Sequence, residues 1–332
     1  MKPIRLMVLS AALAVVASGP VAPAADDAKV VRLAWFPRFS PDGATVLSAH
    51  GSWDKKEGGE ARLLAAKDGE MQHVFSVPRG VRSVAWSAKG AFFVTGSYGE
   101  GIRGFDVKSR KELFQLASDK YVGNVRMTSD DKLLVASFSS GDIRIYDLAN
   151  WKEVFHFGAV HDNEMWGMAL APNDKLLASA GKDNYANVFD LVTKKKVHSL
   201  KHPGEVNGVA FTPDSRYLAT GCGDSRIRIF DATTGERVAM FNAHERGTVT
   251  DLQFTADGKL LASSGADGTV RIWDASDLKN PVAKRVLKAH SGAAFGVAIS
   301  PDDRWLVSAG WDNQIKMWDL KTGDIVWTWK RK

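Results

Sequence analysis

After residue 30 the chain is filled with short runs in which apolar and polar residues alternate, each run closed by turn residues. Alternation with period two marks half-buried strands, and the 3.6-residue period of a helix is hard to find. Residues 244–288 carry the pattern most clearly. TVTDLQFT reads as a strand, ADGK as a tight turn, LLASSG as a second strand, AD as a turn and TVRIWD as a third strand. After ASDLKNP, VAKRVLK supplies the fourth. Four antiparallel strands make one small sheet that is apolar on both faces, so it needs a neighbour on each side.

The unit recurs. GADGTVRIWD at 265–274 returns as GWDNQIKMWD at 310–319, and earlier as GCGDSRIRIFD, GKDNYANVFD, SSGDIRIYD and GEGIRGFD. The closing residues Asp106, Asp147, Asp190, Asp231, Asp274 and Asp319 are 41, 43, 41, 43 and 45 residues apart. A period of this size means one supersecondary unit stacked many times. Together these motifs resemble the WD-repeat family of β-propellers across residues 30 to 330. The resemblance implies an all-β fold, a seven-bladed β-propeller of four-stranded antiparallel blades. Its repeats fall near 30–77, 78–118, 119–159, 160–201, 202–243, 244–289 and 290–332, with first strands beginning near Val31, Val81, Val122, Met165, Val206, Val249 and Ala294. The first unit is divergent: Leu64 and Ala65 stand at its WD place, and it carries the insertion HGSWDKKEGGE. Many family members lend an N-terminal strand to the last blade. Here only residues 25–29 precede the first strand, and the terminal DIVWTWK aligns with the fourth strands KEVFHFG, KKVHSLK and ERVAMFN. Closure is therefore expected through side-chain packing between first and last blades, without a shared strand.

One constellation could be mistaken for a catalytic triad. His161, Ser179 and Asp183 recur as His202, Thr220, Asp224, as His244, Ser263, Asp267, and as His290, Ser308, Asp312. A nucleophilic triad would occur once rather than four times in register. The resemblance implies an internal hydrogen-bond chain instead, from Asp to His to Ser or Thr to the strand-three Trp, which satisfies buried polar groups and fixes the turns. Trp273 and Trp318 complete it in the last two units, whereas Phe189 and Phe230 cannot donate. Gly99 and Ser140 stand at the turn-Asp place in units two and three, so the N-terminal half is expected to be less tightly specified.

The first 24 residues differ in kind. Lys2 and Arg5 precede an apolar run from Leu6 to about Ala17, and Ala22-Pro23-Ala24 follows, the form of a secretory signal peptide cleaved near Ala24. The run is short of the ~20 residues that span a bilayer. Export to the periplasm or beyond is expected, with membrane contact only through the uncleaved signal. The remaining residues 25–332 amount to seven units with almost nothing left for another domain. Loss of Lys2 and Arg5 takes the formal charge from +6 to +4, and no basic stripe suggests nucleic acid. Cys222 is the single cysteine, so no intramolecular disulfide framework exists, and it reads as a small buried strand residue.

The partners implied by the resemblance are proteins or peptides, bound on the face that carries the loops into strand one and the turns between strands two and three. Trp35, Arg82, Trp166 and Phe295 come early in first strands, Tyr98 and Trp311 precede the turn-Asp position, and Trp53 lies in the insertion. Aromatics with an arginine are the residue types that anchor interfaces. Packing against one another in the central channel is the competing reading. The function expected is a non-enzymatic exported scaffold without cofactor. The alternative is a propeller enzyme of the quinone-dependent dehydrogenase type, whose tryptophan-docking repeats DATTGERVAMF and DLKTGDIVWTW faintly resemble. Only the last of these contains Trp, and His50, His73, His156 and His198 lack the spacing of metal ligands.

Overall fold

A computed structural model describes residues 32–52, 58–162 and 164–331. Seven antiparallel sheets follow one another along the chain, over residues 32–77, 81–116, 122–157, 165–201, 206–242, 249–288 and 294–330, and no helix occurs among the described residues. Each sheet touches the next, and the first touches the last, so the sheets form a ring of seven blades. First strands of blades two to seven begin at Val81, Val122, Met165, Val206, Val249 and Ala294, as the alternation predicts. In blade one the innermost strand is split into Arg32–Ala34 and Arg38–Phe39, both paired with Thr45–Ser52. Pro37 lies in the break, where it has no N–H for the ladder.

The core is divided as a sheet with two apolar faces requires. Seven apolar clusters occur, one in each gap between neighbouring blades. The gap between blades four and five, for instance, holds Leu200 and Val188 from one side and Val206, Phe211 and Leu218 from the other.

Two repeated turns tie the blades at their rims. Every turn from strand one to strand two is closed by a backbone bond from a left-handed residue three positions on: Gly43, Gly90, Asp131, Asp174, Ser215, Gly258 and Asp303. Where that residue has a polar side chain, it accepts from the preceding blade's turn. Asp131 takes the Ala88 N–H at 2.6 Å, Asp174 that of Ser129 at 2.8 Å, Ser215 that of Asn173 at 3.1 Å and Asp303 that of Ala256 at 2.8 Å. Where it is glycine, a proline of the preceding blade lies against it: Pro301 by Gly43, Pro41 by Gly90 and Pro213 by Gly258. At the outer rim, fourth-strand residues reach the next blade's turn. Phe114 stacks on Trp151, Lys194 lies over Phe155, and His198 Nε2 meets the Thr233 carbonyl at 3.0 Å.

The seam between blades seven and one uses the same devices. The last blade consists of Ala294–Ile299, Trp305–Gly310, Gln314–Asp319 and Ile325–Lys330, with no strand from the N-terminal side among the described residues. Residues 25–31 lie outside the described residues. Ala34, Phe39, Val46 and Leu64 pack with Ala298, Val307, Ile315 and Met317. Trp327 Nε1 donates to the Ala66 carbonyl at 2.8 Å, and its ring lies where a Cβ on Gly69 would fall. Among the described residues the seam is closed by side-chain packing, and the expectation that no N-terminal strand is shared falls on residues outside them.

Candidate functional site

The buried histidine chains are built as the repeat predicts in three blades out of four. His161 Nδ1 is 2.9 Å from Asp183 and Nε2 2.7 Å from the Ser179 hydroxyl. His244 meets Asp267 at 3.0 Å and Ser263 at 3.0 Å, and Trp273 Nε1 donates to the same hydroxyl at 3.0 Å. His290 meets Asp312 at 2.8 Å and Ser308 at 3.0 Å, with Trp318 donating to Ser308 at 3.0 Å. These three imidazoles have no exposed side-chain surface, and each bonds inside its own blade, so they hold turns and offer nothing to a substrate.

Blade five departs from the expected chain. His202 Nε2 keeps Thr220 at 2.8 Å, but Nδ1 donates to the Leu200 carbonyl at 2.9 Å. Asp224 instead takes both arms of Arg228, at 3.0 and 2.5 Å. The reason lies two residues before the aspartate. Gly181, Gly265 and Gly310 stand there in the other three blades, and a Cβ on any of them would come within 3.0 Å of the histidine ring. Cys222 occupies that place in blade five, so the ring cannot approach the carboxylate. With no carboxylate bonded to it, burial pushes the His202 imidazole down to about 4. The N-terminal blades have weaker polar order. The buried hydroxyls of Thr95, Ser97 and Ser140 find no partner among the described residues, although blade one contains an unforeseen pair, Ser48 and His50 at 2.8 Å.

The aromatic candidates cluster around one mouth of the central channel. In blades two to seven the register slips by one residue early in strand one, at Arg82, Gly123, Trp166, Asn207, Thr250 and Phe295. Such a bulge re-aims a side chain. Trp35, beside the break in blade one, joins them. Arg82 lies 4.6 Å from the Trp35 ring, 4.7 Å from Phe36 and 5.7 Å from Trp166. Trp35 meets Phe295 at 4.7 Å, and Phe295 meets Trp311 at 5.7 Å. The result is a continuous track from solvent inward. Trp311 is 50% exposed, Phe295 and Trp166 are half-buried, and Trp35 and Arg82 are 1% and 3% exposed. Tyr98 is buried and stacks on Tyr121 at 4.5 Å, and burial raises its phenol above the usual range. Trp35, Arg82 and Tyr98 therefore form the floor beneath this mouth. Arg82, which from sequence is more readily read as a solvated residue, is buried because three aromatic faces cover its charge. Its Nη1 and the Trp166 indole N–H are buried donors without an acceptor among the described residues. Trp53 lies outside the described residues.

The basic residues at one repeated place in strand three act within their blades. Arg103 pairs with Glu100 and Glu112, Arg144 with Asp142, and Arg271 with Asp267. Sequence reasoning missed Phe36 and Tyr121, neighbours of this mouth, and also Arg38, Arg126, Asp251 and Gln253 at the opposite one. The available signal was comparison between units: Arg38, Arg126 and Gln253 stand where four other blades have Ala85, Ala169, Ala210 and Ala298.

The family model described as "WD domain, G-beta repeat" matches residues 69–106, 152–190, 194–231, 235–274 and 282–319, more than half of the chain. Each match ends on one of the closing aspartates. The stretches left unmatched include the first three strands of blade one, with Leu64-Ala65 at the WD place, and the unit closing at Asp147, whose turn has Ser140 for the aspartate. Both still form complete blades. With the repeat, the ring and the family match in agreement, the chain belongs to the WD-repeat family.

Proposed function

We propose that this protein is an exported, non-enzymatic scaffold that binds a protein or peptide at the channel mouth marked by Trp311. Propellers of this family commonly bind proteins, which supports the class of function. The observation that carries the site is the aromatic track with its two unmet donors. Trp311 offers an exposed ring of the kind that anchors interfaces, while Phe295 and Trp166 flank it at half burial. Beneath them, Arg82 Nη1 and Trp166 Nε1 have no acceptor among the described residues. A peptide carbonyl or carboxylate entering the mouth would supply one, and buried donors gain most from being satisfied. Export rests on the signal-like residues 1–24, and an N-terminal sequence of the chain recovered from the cell envelope that starts near Ala25 is the expected result.

The test is affinity capture from the host's own envelope extract with the native chain and with a Trp166→Ala, Trp311→Ala variant. Trp35 is left intact because it belongs to the core. A protein retained by the native chain and lost by the variant, with melting temperature unchanged, is the expected outcome. Equal capture by both would remove the face from consideration.

A further inference from the structure

The opposite mouth of the channel opens into a cavity of about 650 Å³, formed where the first strands end and their turns begin. Met168, Leu170, Phe211 and Phe254 give it apolar walls. Four blades contribute only alanine at the position before the last paired residue of strand one, namely Ala85, Ala169, Ala210 and Ala298. Blades one, three and six place Arg38, Arg126 and Gln253 there, and all three line the cavity. Since the repeat itself supplies the comparison, the polar residues are not demanded by the blade.

Arg38, Arg126, Asp251 and Asp303 line this cavity, and one of the arginines is left out of their pairing. Asp303 is held by the turn N–H groups of Ala256 at 2.8 Å and Asp257 at 3.2 Å. Asp251, 7% exposed, is the carboxylate nearest the two arginines, and it is already engaged. Its oxygens accept from the backbone N–H of Leu252 at 3.0 Å and of Val297 at 3.2 Å, and it pairs with Arg38 at 3.5 Å. Arg126 donates only to the carbonyl of its own neighbour Val125, at 2.8 Å, and forms no ion pair among the described residues. Burial and the positive charge of Arg38 push its guanidinium down to about 9, which leaves it charged at neutral pH. A half-buried cation without an ion pair is costly to hold, and an anion that reached it would be bound by strong charge-assisted bonds.

We infer that this mouth is a binding site for a small organic acid, its carboxylate on Arg126 and Arg38 and its apolar body against Met168, Phe211 and Phe254. Arg126, which stands outside any ion pair among the described residues, suits a single carboxylate. The apolar walls favour a ligand with a hydrocarbon or aromatic part over a bare inorganic ion. The site is separate from the Trp311 mouth and independent of what binds there.

The probe is benzoate, with inorganic phosphate and the uncharged benzyl alcohol beside it at constant ionic strength, followed by calorimetry and thermal melting of the purified chain. Binding of benzoate at or below about 10 mM is expected, with neither comparison compound matching it. Arg126→Gln should lose at least about tenfold in benzoate affinity, while Arg126→Lys retains part of it. Unliganded Arg126→Gln should melt no lower than the native chain, because the residue it removes has no structural partner beyond Val125. The inference is overturned if benzoate does not bind, if benzyl alcohol or phosphate binds as well, if Arg126→Gln binds benzoate unchanged, or if that variant melts well below the native chain.

Discussion

At the scale of single residues, one position decides whether a blade can join its histidine to its aspartate. Gly181, Gly265 and Gly310 make room for the ring, and Cys222 closes that room in blade five. Gly265→Ala should force His244 away from Asp267 and lower stability by about 3 kcal/mol, from overpacking together with a lost buried hydrogen bond. Urea unfolding of that variant beside the native chain gives the value; a loss below a few tenths would show that the ring can move aside freely. His202, turned from its carboxylate, predicts the reverse kind of effect, one of pH. Its folded-state value near 4 lies below the ordinary 6.5, so the unfolded chain takes up a proton first as pH falls. Its contribution is complete above about pH 6.5 and drains away toward pH 4, to a total of about 3 kcal/mol. His202→Gln should therefore flatten the pH dependence of the unfolding midpoint across that window. The repeat in the sequence made the four His, Ser or Thr, and Asp sets legible, because their spacing is periodic. It did not make the failure in blade five evident, because that depends on a Cβ two residues from the aspartate. The signal was nonetheless present in GCGD, where SAGKD, SSGAD and SAGWD have glycine.

At the scale of elements, the turns between strands one and two show two exchangeable solutions. An aspartate in the left-handed conformation is strained relative to glycine, and it occurs where the preceding blade offers an N–H to bond, as Ala88, Ser129 and Ala256 do. Proline has no such donor, and after Pro41, Pro213 and Pro301 the next turn has glycine. Blade five takes an intermediate form: Pro172 cannot donate, and Ser215 bonds the N–H of Asn173 instead. The two positions should thus be coupled. Gly90→Asp alone, facing Pro41, should cost about 1 kcal/mol. Pro41→Ala in that background restores a donor and should recover about 1 kcal/mol, a coupling measurable by a double-mutant cycle. Simple additivity of the two changes would refute the pairing. These pairs lie more than 40 residues apart in sequence, and only the blade-to-blade period brings them to notice. The strands themselves were easier to read, since alternation and turn residues are local. The exception was the first strand of blade one, which breaks at Pro37 into two short pieces.

At the scale of the whole molecule, the ring must hold at a seam that no described N-terminal strand spans. Which first-strand residues meet across the channel, such as Arg82 with Trp35 and Trp166 or Arg38 with Asp251, depends on that closure, and so escaped a reading confined to individual repeats. The seam is made of the same contact as other blade interfaces. Trp327 reaches the turn at Ala66 and Gly69 of blade one just as Phe155 of blade three meets Lys194 of blade four. If the seam has no special weakness, Trp327→Ala and Phe155→Ala should each cost about 3 kcal/mol, the range for removing a large packed aromatic ring. Both should also preserve a single unfolding transition, since every blade still has two covered faces. If instead the seam is the weak point, Trp327→Ala alone should split unfolding into two steps, the first exposing the faces of blades one and seven. Calorimetry with tryptophan fluorescence separates these outcomes: Trp305 and Trp329 pack in the seam cluster and report its opening, while Trp273 lies between blades five and six and reports the rest of the ring. Coincident transitions from both probes in both variants are expected, because the apolar cluster between blades seven and one is of the same kind as the other six.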